Sequence, residues 1–379
     1  MKKPSDETKN TAALLAAAAV CGLLLLFSKQ ARAGVSDALT VCGTVILPSL
    51  FPLLILSSFA ASFPCPRRLQ RLCAAPLRRL FGLSPGCLLP LLLGLTCGYP
   101  LAAKTARTAR EQGLITEEDA RRLTLYFTCP GLPFAVTAAG AGCFGSAAVG
   151  WTLFASCALA DLAAAILFHL TRKKKRAARP PASPAFPEAP SLSPAASFSR
   201  GLAAAVERAT GAALSVCAWI CGFSAFSGAL SALFRGKADP LLSLTAEVTA
   251  AVRRAAAMKN PPLAAGCLSF GGICVFCQLL PEIGAARAGA ARFLAIRLLC
   301  AGFSFAAEHA LLRLLPVTVP TGTRLGGLYL SANSVAGSVA LLFLCAVFMA
   351  ETARQEKGGA TKGDLSSRWL ESQVVSRES

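Results

Sequence analysis

The chain has 379 residues, 54% of them hydrophobic and 15% charged, with a mean hydropathy of +0.57. A soluble domain of this length has too little interior for so much apolar side chain, so the default class is a polytopic membrane protein. The net charge of +19 does not argue for nucleic acid, because the 38 Lys and Arg lie mostly between apolar runs and no binding motif accompanies them.

In chain order, Lys2 and Lys3, an apolar run from Thr11 to Phe27, and Ala31-Arg32-Ala33 before Gly34 imitate a cleavable signal peptide. The run is long for such a segment and a second apolar run follows closely, so residues 1–36 read as an uncleaved N-terminal span. Runs of about twenty apolar residues can cross the hydrocarbon core as helices. The candidates are 11–28, 37–61, 148–170, 209–233, 289–315 and 326–350. Other apolar stretches are short or broken: 86–103 at Gly98-Tyr99-Pro100, 123–141 at Cys129-Pro130-Gly131-Leu132-Pro133, and 262–281 at Phe270-Gly271-Gly272. Residues 240–257 are helical in period, carry Glu247 and end at Arg253-Arg254. Residues 171–199 are basic, then rich in Pro, Ala and Ser, and read as an unstructured linker. The tail after Glu351 is polar and expected to be disordered. Most of the 16 cysteines sit inside apolar runs, where cysteine acts as a small hydrophobe. Cys274-Val-Phe-Cys277 has redox or metal spacing but no second pair and no nearby histidine, which favours packing.

Basic loops set orientation. Arg172 to Arg176 fix the central linker in the cytoplasm, and the C-terminus follows it. Counting back, the loops Arg67 to Arg79 and Lys104 to Arg122 are both cytoplasmic only if 86–103 enters the membrane and returns as a re-entrant hairpin. Counting forward, 240–257 is re-entrant from the outside. The order of span, hairpin, broken span and whole span therefore occurs twice in opposite orientations. Paired interrupted segments of this kind point to a secondary transporter with its site near the midplane. Interrupted helices free backbone groups that only protein or a watery cavity can satisfy at that depth.

Several side chains stand out. Thr116-Glu117-Glu118-Asp119 has capping-box spacing. Lys104, Arg107 and Arg110 share one side of a short helix and read as interfacial anchors, with Lys104 near enough to the break to reach inward. Asp161, Arg297, Glu308 and Glu247 are ionisable residues within apolar runs, where such groups face a cavity or a partner. Asp161 and Arg297 are as consistent with a structural pair locking the two halves as with a substrate or ion site. His169 and His309 are isolated. No metal set is present, no cofactor is implied, and enzyme motifs such as His-Glu-x-x-His, Gly-x-Ser-x-Gly or a phosphate-binding glycine loop are absent.

The stretches "GYPLAAK" (98–104), "GLITEEDARRL" (113–123) and "CPGLPF" (129–134), with "LTAEVTAAV" (244–252) and "FGGICVFCQ" (270–278), resemble the nucleoside-recognition (Gate-domain) membrane proteins. Within that group the likeness is to the sporulation integral membrane proteins of YlbJ type, over about residues 38 to 312. The resemblance implies an all-α polytopic fold with two inverted repeats, related to the concentrative nucleoside transporters. It also implies a role in spore formation, moving a small solute such as dipicolinate or a nucleoside-like compound across a cell or forespore membrane. By motif match, the implied solute-binding residues are Gly98, Tyr99, Pro100, Lys104, Pro130, Gly131, Pro133, Glu247, Gly271, Gly272 and Gln278, with Phe134 at the first break. The chain departs from the family at Thr128, Cys129 and Cys274, where more polar residues are expected.

The expected organisation is an N-terminal span (1–36), a first Gate-like repeat (37–170), a cytoplasmic linker (171–200), a second inverted repeat (201–315), a C-terminal span (316–350) and a tail (351–379). Its partners would be the bilayer, a small solute and a coupling cation. The alternative function is a membrane scaffold for spore formation that transports nothing.

Overall fold

The computed structural model describes residues 6–60, 67–171 and 194–315, and these form helices with no strand among them. The chain divides into two units, Met1–Ala185 with Ala205–Gly327, and Phe186–Ala204 with Leu328–Ser379. Of the second unit only the first turns of one helix, from Pro194, are described. The expected span 326–350 and the tail lie outside the described residues. So does most of the linker, although its last residues, from Pro194 on, are helical.

Four helical stretches are long and apolar enough to cross a membrane: Ala147–Thr171, Gly201–Leu233, Pro261–Ala285 and Ala290–Leu314. A fifth arises if the first two helices count as one span. These are α1 (Asp6–Leu26) and α2 (Ser28–Val41), bent by 91° at Phe27. The sequence suggested a second span starting at residue 37. The structure starts that helix at Ser28, because Lys29, Gln30, Ala31 and Arg32 are all good helix formers despite their polarity. Past a π-helical turn at Cys42–Ile46 it continues as α3 (Leu47–Ala60).

The remaining helices of the first half are α4 (Arg67–Pro76), α5 (Leu88–Cys97), α6 (Tyr99–Glu111), α7 (Glu117–Tyr126) and α8 (Ala147–Thr171). Between α7 and α8 runs a π-helical segment, Phe134–Cys143. The second half holds α9 (Pro194–Leu233), α10 (Asp239–Thr245), α11 (Val248–Ala257), α12 (Pro261–Phe270), α13 (Gly272–Ala285) and α14 (Ala290–Leu314). Helices α5 and α6 fold against each other around Gly98, as α10 and α11 do around residues 246–247. The core is formed where α14 packs along α8 and α12, and where the π-helical segment packs on α8.

The start of α7 is fixed by the side chains the sequence suggested. Asp119 N donates to Thr116 Oγ1 at 3.1 Å, and Thr116 N donates to Asp119 Oδ2 at 3.2 Å. The other oxygen of Asp119 accepts from Ser84 N, tying the loop before α5 to the same point. Thr116→Ala should cost about 1 kcal/mol, read as a lower thermal midpoint in detergent; an unchanged midpoint would mean the box contributes nothing to α7.

Candidate functional site

Helix interruption leaves carbonyls at the end of one helix and N–H groups at the start of the next without intrahelical partners. The first interruption spans residues 127–131, after α7. Pro130 and Pro133 cannot donate, which explains why the chain does not run straight on. Its freed carbonyls are taken by Arg297 of α14. Nη1 donates to Thr128 O at 2.8 Å, and Nη2 donates to Leu125 O at 3.4 Å. The same guanidinium meets Asp161 of α8, Nη2 to Oδ1 at 2.9 Å, with both side chains at most 2% exposed. Of the two readings open from the sequence, the structure contains the ion pair, and the pair also holds the break.

The second interruption is at Gly271, between α12 and α13. Here Leu268 O, near the end of α12, accepts the phenolic hydroxyl of Tyr99 from the first residue of α6. Each break is thus held by a side chain from the opposite half of the chain.

The hairpin bends dock on the breaks of their own halves. Gly98 has φ 100° and ψ 172°, a conformation essentially confined to glycine. A Cβ there would lie 3.1 Å from Gly131 N. In the second half, Cys274 N donates to Ala246 O at 2.9 Å, and a Cβ on Gly272 would lie 3.2 Å from Ala246 O.

Residues 240–257 are not one helix, as their period suggested. The chain leaves the helix at Ala246-Glu247, and Glu247 takes extended φ −143°, ψ 134°. Its carboxylate caps α11, Oε1 accepting from Thr249 N and Oε2 from Ala250 N, both at 2.8 Å. An acidic cap suits the positive end of a helix. Because both oxygens are engaged, a Glu247→Gln change removes a cap bond as well as a charge.

The four elements surround one cavity of about 80 Å³. Its lining includes Gly98, Tyr99 and Lys104 from α5–α6, Gly131 and Phe134 from the first break, Glu247 and Thr249 from the second hairpin, and Cys274 and Gln278 from α13. Of the residues carried over by resemblance, Gly98, Tyr99, Lys104, Gly131, Glu247 and Gln278 come together there. Pro130, Pro133, Gly271 and Gly272 do not line it and shape the backbone behind it, while Pro100 occupies the first turn of α6. Asp161, Arg297 and Glu308 are also outside the lining.

Two walls were not foreseen. Ile46, Leu50 and Leu54 line one side, and Ala212, Val216 and Ile220 of α9 line another, both sets at four-residue spacing. Val248 and Val275 complete the apolar part. Lys104 is exposed, and neither α6 nor α13 has a side-chain cap at its N-terminus. Farther along α6, Arg110 Nη1 donates to Ala285 O at the end of α13, and Arg107 lies 3.7 Å from Glu282. Glu111, hydrogen bonded to Arg107, and Glu282 raise the pKa of that guanidinium. The second and third basic residues of α6 therefore tie it to α13 rather than only anchoring it at an interface.

No protein-family model, curated protein or solved structure matches the chain.

Proposed function

We propose that the chain is a multi-pass membrane transporter of a small solute, of the nucleoside-recognition (Gate) type and YlbJ-like, serving spore formation in the cell or forespore membrane. In this reading it is built as two inverted repeats related to those of the concentrative nucleoside transporters, with the central linker and C-terminus cytoplasmic. The observation that carries the reading is the meeting of both hairpin bends, the first helix interruption and the start of α13, just past the second, around one cavity. In support, the order α5–α6–α7–break–π-helical segment–α8 matches α10–α11–α12–break–α13–α14. The packing is reciprocal as well: α6 lies on α13, and α11 lies on the π-helical segment.

The chemistry favours a dipicolinate-like anion or a nucleoside-like compound. Lys104 supplies positive charge, and the N-terminus of α6, which has no side-chain cap, favours an anionic or polar edge. Glu247 is committed to its cap, so its role is to hold the second hairpin in shape beside the solute. No catalytic residue is assigned.

A cavity of about 80 Å³ has room for a few waters, whereas sites for solutes of this size occupy several hundred Å³. Solute entry therefore requires the hairpins to move apart from the walls formed by α3 and α9. The same small volume, largely apolar in lining, is what favours the alternative, a scaffold that transports nothing. Lys104→Ala separates the two. Its side chain is exposed, so the variant should keep the wild-type thermal midpoint. In proteoliposomes its uptake of dipicolinate or nucleoside should fall by about tenfold or more, the equivalent of one lost charge-assisted contact. Uptake equal to wild type would remove Lys104 from the site. A wild type that moves neither solute, and whose loss misplaces another spore membrane protein, would establish the scaffold instead.

A further inference from the structure

Glu308 of α14 lies in the three-helix contact with α8 and α12, apart from the cavity described above, and is 0% exposed. Thr152 Oγ1 reaches its Oε1 at 2.7 Å, while Oε2 meets no donor among the described residues. Even the Thr152 contact is contested. A hydroxyl has one proton, and Val149 O lies 2.9 Å from the same Oγ1.

Ser156, one turn along α8 from Thr152, also reaches the carboxylate, but the hydroxyls here have competing acceptors. Ser156 Oγ donates to Leu153 O at 2.9 Å, and Ser304 Oγ donates to Ala265 O at 3.1 Å. Each of these protons is shared with a backbone carbonyl, so the carboxylate has no donor of its own. Among the described residues no cation is near enough to balance the carboxylate. Arg297 is eleven residues back along α14, about 16 Å away, and is paired with Asp161. Asp161 is nine residues along α8 from Thr152, about 13 Å away. The titratable neighbour on α8 at this level is Cys157, whose Sγ lies 3.3 Å from Ser304 Oγ. Helix α12 carries only Cys267, and the π-helical segment packed on α8 carries only Cys143. On α14 itself His309 and Arg313 are exposed.

A buried carboxylate with only shared hydroxyl donors and no counter-charge among the described residues demands a positive charge. We infer that Glu308 is the binding site for a monovalent cation, a proton or an alkali-metal ion, held between α8, α12 and α14. This does not depend on the transport reading and is tested without it.

A cation bound only by the folded state stabilises that state, with the logarithm of its concentration once that exceeds Kd. In detergent, the wild-type thermal midpoint should rise by about 3 °C or more when sodium chloride replaces choline chloride, or when pH is lowered from about 9 to about 6. A response to pH alone identifies the proton; a response to sodium at fixed pH identifies an alkali-metal ion. Glu308→Gln, neutral and of the same shape, should lose that response. Should this variant fail to fold, Thr152→Val removes a hydroxyl from the carboxylate: it should shrink a sodium response, because the ion loses a ligand, and enlarge a pH response, because the charged form loses a donor. A wild type indifferent to both conditions, or a variant that responds as the wild type does, overturns the site.

Discussion

Arg297→Met will cost the folded protein about 3–5 kcal/mol, because it leaves Asp161 charged and unpaired in a fully buried position. The expected result is little folded protein after detergent extraction and a sharply lowered thermal midpoint in what remains. Replacing both partners, Asp161→Leu with Arg297→Met, removes the stranded charge, and such double replacements are often neutral. Here recovery should be incomplete. Arg297 also donates to Thr128 O and Leu125 O, and buried acceptors left without donors cost about 1–3 kcal/mol each. The shortfall of the double variant therefore measures how far Arg297 acts on the break rather than on Asp161. A double variant as stable as wild type would mean the carbonyl contacts carry no weight. A single variant as stable as wild type would mean the ion pair does not form.

The breaks legible in the sequence are those written in residues that cannot continue a helix. Gly98-Tyr99-Pro100, Pro130 to Pro133 and Gly271-Gly272 could be located because glycine frees the backbone and proline removes a donor. The break at Ala246-Glu247 has neither residue. It exists because a glutamate side chain takes the first N–H groups of α11, and glutamate is ordinarily a helix former. The charged pair could be proposed from Asp161 and Arg297 alone, but not its second task, since backbone carbonyls leave no mark in a sequence. The walls from α3 and α9 were hidden for another reason. In a helix apolar all round, nothing distinguishes the stripe facing a cavity from the stripe facing lipid. Propensity also misleads at the second break. Alanine at Gly271 and Gly272 would favour continuous helix by about 1 kcal/mol per residue on propensity alone. Both glycines instead have positive φ, 80° and 78°, where alanine is strained.

Gly98→Ala tests whether the first hairpin bend is held in the geometry the site requires. Two penalties combine. An L residue at φ 100° and ψ 172° costs about 1–3 kcal/mol in strain. Its Cβ would also stand 3.1 Å from Gly131 N and 3.3 Å from Gly131 Cα. Those are backbone atoms, and they can yield only if the 127–131 segment shifts against Arg297. The expected total is about 3 kcal/mol or more, read as a lowered thermal midpoint together with loss of uptake. Gly211→Ala in α9 is the control. Nothing lies within 4 Å of a Cβ there and its backbone is helical, so alanine should be neutral or stabilise by up to about 1 kcal/mol. If Gly98→Ala keeps the wild-type midpoint while Gly211→Ala behaves as expected, the α5–α6 bend is free to take another conformation. The cavity would then lack its fixed wall at Gly98. If Gly98→Ala lowers the midpoint and uptake together, the bend and the first break act as one unit, because alanine at one displaces the other.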